Sequence, residues 1–330
     1  MLQGLGFLFG GERTNGEKTP PDGPEPRKLK IGLALGGGAA RGWAHIGILK
    51  RLDAAGIVPD IVAGTSIGAL AGGCYVAGKL GELEAFTRTL TKRRIFSLLD
   101  VSLRGSGLIG GRKLIELLDT DLMYDRIENL PRKFIAVATE LKTGHEVWLS
   151  KGSMVDALRA SYALPGIFEP VQLGGRWLID GALVNPCPVS VCRAYGADLV
   201  IAVVLHADNF GRSGLIADHG GFGNESAKDS QRQNDPAPSS AKADRMARRK
   251  ILGERGGAPG LSSVMIESFN IMQDRIARAR LAGDPPDVLI SPKLGIGLFE
   301  FHRAAEAIAI GWETVDKVLP EIKAAQDALA

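Results

Sequence analysis

No run in the 330-residue sequence approaches the ~20 consecutive apolar residues that a helix needs to cross a bilayer. The start, Met1 to Phe9, is apolar but shorter than a span. It has neither a basic leader nor a small-residue cleavage site, so it reads as a frayed terminus or a membrane-touching tip rather than a signal peptide. Cysteine is scarce. Cys74, Cys187 and Cys192 are odd in number and form no C-x-x-C pair, which argues against a disulfide framework or a zinc site and for a reducing, cytoplasmic compartment. Charge of one sign is missing too. Forty Lys and Arg stand against 37 Asp and Glu, and the net +3 is too weak to imply a nucleic-acid partner.

What is abundant is apolar residue and glycine. The chain is 45% hydrophobic and holds 43 glycines, enough for a sizeable core with many tight turns. Residues 1 to 29 read as a flexible leader, polar and rich in Gly and Pro beyond residue 10. The folded part runs from 30 to 330, and from Lys30 short apolar runs alternate with helical patterns. Strands are expected at Lys30 to Leu35, Ile61 to Ala63, Phe134 to Thr139, Glu146 to Leu149, Arg176 to Ile179, Asp198 to Leu205 and Asp287 to Ile290. Between them, Ile46, Leu49 and Leu52 mark a helix closed by Gly56, and Ile67 to Val76, Ser153 to Tyr162 and Pro188 to Tyr195 read as helices. This alternation predicts an α/β fold with a mostly parallel sheet. Residues 208 to 258 are polar and basic and read as a disordered insertion. A helix is expected from Leu261, with Leu261, Val264, Met265, Phe269, Met272 and Ile276 on one face packing into the core or lining a site for acyl chains. An Ala-rich helical tail follows Phe299.

Two glycine-bearing turns carry candidate chemistry. Gly64-Thr65-Ser66-Ile67-Gly68 is G-x-S-x-G between an apolar strand and a helix, the context that a nucleophile elbow requires. The sharp turn leaves no room for a Cβ at its glycines, and the helix N-terminus favours developing negative charge. A plain helix cap at Ser66 is the competing reading. The second turn, Gly36-Gly37-Gly38-Ala39-Ala40-Arg41-Gly42, also joins a strand to a helix. It fits neither register of the dinucleotide fingerprint, and Trp43 and Ala44 stand where a P-loop needs Lys and Ser or Thr. Backbone amides bare of side chains at a helix start suit an oxyanion hole.

A nucleophilic serine needs a base. The five histidines are His45, His145, His206, His219 and His302. Asp180 followed by His206 or His302 would satisfy the order of an α/β-hydrolase triad, although the elbow comes unusually early for that fold. Asp180 acting directly, within Asp180-Gly181-Ala182, is the other candidate base, although D-G-A alone would be an ordinary turn. His45 is expected to be structural.

Gly36 to Gly42, G-T-S-I-G at 64 to 68 and D-G-A at 180 to 182 stand in the order and spacing of the patatin-like phospholipase family. Ala44 to Gly47 (A-H-I-G), the A-S-Y-A-L-P-G-I-F-E-P block at 160 to 170 and V-N-P-C-P-V at 184 to 189 add to the match. The sequence resembles most the bacterial members related to the neuropathy-target-esterase catalytic domain, strongly over residues 29 to 205 and more weakly at 286 to 309. The resemblance implies a three-layer α/β/α fold and a Ser–Asp dyad of Ser66 and Asp180. It implies oxyanion donors at Gly37, Gly38 and Ala39, with Gly36, Arg41, Gly42, Gly64, Gly68 and Gly181 supporting the motifs. No metal or organic cofactor is implied. Ala39 stands where many relatives have glycine; its amide survives but its backbone angles are more restricted. The implied activity is hydrolysis of phospholipid or lysophospholipid esters. Transient membrane-surface contact is a further expectation, with the apolar tip, the basic 208–258 segment and the 261–276 stripe as its candidate surfaces. Still open are an esterase with a Ser-Asp-His triad and a non-enzymatic lipid-binding regulator of the same fold.

Overall fold

The computed structural model describes residues 28–91, 126–205 and 261–329. Most of the expected leader, its apolar tip, the insertion at 208–258, His206 and His219 lie outside the described residues.

The first half of the fold comprises β1 (Ile31–Leu35), α1 (Ala44–Ala54), β2 (Ile61–Thr65), α2 (Ile67–Val76), α3 (Leu80–Arg88), β3 (Lys133–Glu140) and β4 (Glu146–Leu149). The second comprises α4 (Met154–Ser161), β5 (Val171–Leu173), β6 (Arg176–Asp180), α5 (Val189–Ala194), β7 (Leu199–Val203), α6 (Leu261–Gly283), β8 (Val288–Ile290) and α7 (Ala304–Leu329). The eight strands form one sheet. Its centre is parallel, running β3-β2-β1-β7-β8, and β4, β6 and β5 add antiparallel pairings at the β3 end.

Strand alternation sorts the core into two layers. Ile31, Leu33 and Leu35 of β1, with Leu199, Ile201 and Val203 of β7, point to one face and pack with α1, α2, α4 and α7. Ala34, Ala63, Ile135, Val200 and Ala202 point to the other and pack with Val189, Val191 and Cys192 of α5 and with Leu281 of α6. Helices on both faces of a sheet buried on both sides make the α/β/α sandwich, and its central strands are near-continuous apolar runs for that reason.

Two features position the site. First, β2 and β6 meet end to end along one edge of β3. Ala136 and Val137 pair with β2 on that edge and with β4 on the other, whereas Ala138 and Thr139 pair with β6 and β4. Thr65 and Asp180 therefore oppose the adjacent residues Val137 and Ala138. Second, α1 and α7 cross closely: a Cβ on Gly47 would strike the Ile308 carbonyl, and one on Gly311 the Ala44 carbonyl.

One expectation is corrected. The helix at 261 does form, but it does not bury the apolar stripe read from the sequence. Phe269, Asn270, Gln273, Asp274 and Ala277 are buried, while Val264, Met265 and Met272 are exposed and Ile276 is half-buried. The short polar helix α3 and the three-residue β5 have no counterpart in the sequence reading. Among the described residues no helix is long and apolar enough to cross a membrane.

Candidate active site

Ser66 sits between the end of β2 and the start of α2 with φ 56° and ψ −125°. This left-handed φ is costly for a residue with a Cβ, and the surroundings enforce it. A Cβ on Gly64 would lie 2.5 Å from the Ala69 backbone, and one on Gly68 would strike the Leu35 carbonyl, so both glycines are needed for the turn to close against β1. The Ser66 carbonyl accepts from Ala69 and Leu70, and its amide donates to Ser161 Oγ at 2.9 Å. Ser161 Oγ in turn donates to the Val137 carbonyl at 2.6 Å. The last residue of α4 thus ties the elbow to β3.

Asp180 ends β6 and is buried. Its Oδ2 accepts the Ser66 hydroxyl at 2.7 Å, and its Oδ1 accepts the Ala182 amide at 2.8 Å. Its amide donates to the Ala163 carbonyl, and its carbonyl accepts from Thr139 Oγ1. Gly181 lets this turn lie on β3, since a Cβ there would meet the Val137 carbonyl. Burial lifts the Asp180 carboxyl to about 7, and the hydrogen bonds from Ala182 and Ser66 pull it only part of the way back. Residue Asn185 joins the two halves of the site. Its amide donates to the Gly181 carbonyl, its carbonyl accepts from Thr65 Oγ1 at 2.8 Å, and its Nδ2 donates to Glu146 at 2.8 Å.

The glycine-rich turn lies beside this pair. A Cβ on Gly37 would fall 3.5 Å from both Ser66 Cβ and Ala182 Cβ. The amide of Gly36 donates to the Val203 carbonyl, and that of Gly37, expected above among the oxyanion donors, donates to the Pro186 carbonyl at 3.0 Å. Among the described residues the amides of Gly38 and Ala39 have no acceptor, and neither have those of Ile67 and Gly68 at the start of α2. Ala39 has φ 48°; it and Ser66 are the non-glycine residues with positive φ among those described. Gly42 packs where a Cβ would strike Ile67. Arg41 is buried and donates through Nε to the Ile296 carbonyl at 2.8 Å, while the Ala40 amide donates to the Leu298 carbonyl, so the turn is anchored to the segment before α7.

His45 is fully buried, with Nε2 2.8 Å from the Gly36 carbonyl. Burial pushes it down to about 4, so the ring is neutral and Nε2 is the protonated, donating nitrogen. Its contact supports the back of the glycine turn. The direct bond from Ser66 to Asp180 leaves no room for an imidazole between them. Among the described residues no three His, Cys, Asp or Glu side chains gather as a metal site. Sequence reasoning gave no role to Ser161, Thr65, Asn185 or Glu146. Thr65, Ser161 and Asn185 fall inside the motif blocks, which is the available signal, but a single polar residue has no periodicity to announce its partner.

The family model described as patatin-like phospholipase matches residues 33–193. An uncharacterised NTE family protein of Mycobacterium tuberculosis is 32% identical over 320 residues, covering 86% of this chain and 89% of that protein. A patatin-like phospholipase domain-containing protein of Caenorhabditis elegans is 37% identical over 180 residues, 52% of this chain and 13% of that one. The lysophospholipase nte1 of Emericella nidulans is 32% identical over 178 residues, 52% of this chain and 12% of that one.

Proposed function

We propose, from the premise that this chain belongs to the patatin-like phospholipase family and to its NTE members, that it is a lipid hydrolase cleaving acyl esters with Ser66 as nucleophile and Asp180 as base. The observation that carries the reading is the 2.7 Å hydrogen bond from the Ser66 hydroxyl to a buried carboxylate. A solvated aspartate is too weak a base for a hydroxyl. Burial brings Asp180 to about 7, where ionised carboxylate is present at neutral pH and still holds a proton well.

The chemistry runs in two halves. Asp180 Oδ2 takes the Ser66 proton as Oγ bonds to the ester carbonyl carbon. The tetrahedral oxyanion is held by the amides of Gly38 and Ala39, which have no other acceptor among the described residues. Collapse breaks the bond to the alcohol oxygen, and the proton on Asp180 leaves with the alcohol. Water then attacks the acyl-serine, with Asp180 again as base, and releases the carboxylic acid. The Ala182 amide on Oδ1 keeps Oδ2 turned towards Ser66 through both halves. The ester is that of a phospholipid or lysophospholipid, a class supported by the similarity to the Emericella lysophospholipase.

Hydrolysis of a short-chain nitrophenyl ester and of lysophosphatidylcholine tests the reading. Ser66→Ala and Asp180→Asn should each lose at least about 10³-fold in kcat while remaining folded by circular dichroism. Full turnover by Ser66→Ala would remove the assignment.

A further inference from the structure

The helix α6 is inside out for a helix that faces only water. Asn270, Gln273 and Asp274 are buried beside Phe269 and Ala277, while Val264, Met265, Ile271 and Met272 keep 45%, 47%, 52% and 45% of their surface exposed. At roughly 100° per residue, these four fall with Ser268 and Arg275 in an arc of about 120°, opposite Gln273 and Ala277. A contiguous outward stripe of large apolar side chains on one helix marks a contact surface.

We infer that this arc docks on an anionic phospholipid surface. The inference rests on the lipid-hydrolase reading and supplies what that reading lacks, a way for the protein to meet aggregated substrate. Three observations favour a lipid surface as the occupant. The inner face of α6 packs on the Gly181–Leu183 turn that follows Asp180, so whatever covers the outer face lies next to the catalytic aspartate's own support. Met265 reaches towards the Leu164-Pro165-Gly166 loop after α4, its Cε 3.3 Å from where a Cβ on Gly166 would sit. The charge is complementary to lipid phosphate, since Arg275 is exposed within the arc against the single exposed carboxylate of Glu267 on this helix, while Arg278 and Arg280 are exposed but already paired with Asp274 and Glu146. An apolar stripe followed by arginines matches the boundary between acyl chains and anionic headgroups.

Sedimentation with vesicles of ether-linked phosphatidylcholine, with and without ether-linked phosphatidylglycerol, tests this without hydrolysis, because these lipids hold no acyl ester. The wild type should bind the anionic vesicles more tightly, and Ile271→Asp combined with Met272→Asp should weaken binding at least about tenfold. The same double variant should keep its melting temperature and its rate on a dissolved short-chain ester, since both side chains are exposed. Arg275→Glu should remove the preference for anionic vesicles. Equal binding by wild type and double variant overturns the proposal, as does failure of the wild type to bind either vesicle. A wild-type dimer in size-exclusion chromatography that the double variant dissociates, without vesicle binding, would assign the face to a second copy and also overturn it. Vesicle binding by the α6 arc in a protein inert on every ester would sink the hydrolase reading and leave the docking surface standing.

Discussion

Asp180 sets two opposed demands at one residue. As the proposed base it must ionise, and as a buried group it resists ionisation. Its carboxyl sits at about 7 against an ordinary 3.8 because burial outweighs its two hydrogen bonds. Catalysis through ionised Asp180 predicts that kcat/KM rises with pH and levels off above about 7. The stability consequence has the opposite sign. Between 3.8 and about 7 the folded protein holds a proton that the unfolded chain has released, so the Asp180 contribution is full below 3.8 and is lost as pH climbs through about 7. The gap amounts to about 4 kcal/mol. Asp180→Asn has no titrating group, its Oδ1 can still accept the Ala182 amide and its Nδ2 would donate to Ser66 Oγ in place of accepting from it, so its stability advantage over wild type should be small near pH 4 and grow to a plateau above pH 7 in urea titrations. An advantage that does not change with pH would mean that the carboxyl ionises normally. Ala39 presents a second local conflict. Its φ of 48° costs an alanine about 1–2 kcal/mol, more than the ~0.4–1 kcal/mol that glycine forfeits in the unfolded chain. Ala39→Gly should therefore stabilise the protein by up to about 1 kcal/mol, and Ala39→Val should destabilise it by more than that; a lower urea midpoint for the glycine variant would contradict this. The sequence exposed this position, because Ala39 stands directly after Gly36-Gly37-Gly38 where many relatives carry a further glycine, but not the angle the backbone takes there.

At the scale of elements, the pairing of Ser66 with Asp180 is the work of β3. The two residues are 114 apart in sequence, and no spacing rule links them. Family resemblance named the pair without its cause: the two meet because β2 and β6 end against successive residues of one strand. Both turns could be read separately from their glycines, whereas their junction depends on an antiparallel pairing that no local pattern encodes. The same limit explains α6. Hydrophobic periodicity grouped Val264, Met265 and Met272 with Phe269 and Ile276 on one face and read that face as core or acyl-chain lining, whereas the first three are exposed together with Ile271 and Phe269 is buried. The helix instead buries Asn270, Gln273 and Asp274. The cross-brace from α4 escaped the sequence reading for a simpler reason, since Ser161 looks like any helix-terminal serine. Its Oγ satisfies the Ser66 amide and the Val137 carbonyl together. Ser161→Ala strands both groups, at a cost of about 1–3 kcal/mol. It should also loosen the elbow, lowering kcat on the short-chain ester about tenfold with a smaller change in KM. A variant that loses stability yet keeps kcat would show that the elbow holds its angle without Ser161.

Across the whole molecule, the site borrows rigidity from the end of the described chain. The glycine turn runs through Arg41 directly into α1, and α1 lies against α7. The segment before α7 returns to the same turn, with the Ile296 carbonyl taking Arg41 Nε and the Leu298 carbonyl taking the Ala40 amide. Both contacts depend on α7 seating closely on α1, which Gly47 and Gly311 permit by presenting no Cβ to the opposing backbone. Trp43 against Phe301, with ring centroids 6.0 Å apart, closes the gap between the two segments. Gly311→Val would push α7 off the Ala44 carbonyl, because the obstacle is backbone and cannot move aside as a side chain could. Overpacking of this kind costs about 1–3 kcal/mol. The energy should appear in two measurements at once. The urea midpoint should fall, and kcat should drop by an order of magnitude or so, because the freed turn no longer aims the Gly38 and Ala39 amides. Val315, fully buried in the same helix, separates the two effects. Val315→Ala leaves the α1 to α7 backbone contact intact, so at a comparable loss of stability it should leave kcat near the wild-type value. Equal losses of kcat in the two variants would show that the glycine turn responds to general loosening of the core and not to the seat of α7 on α1.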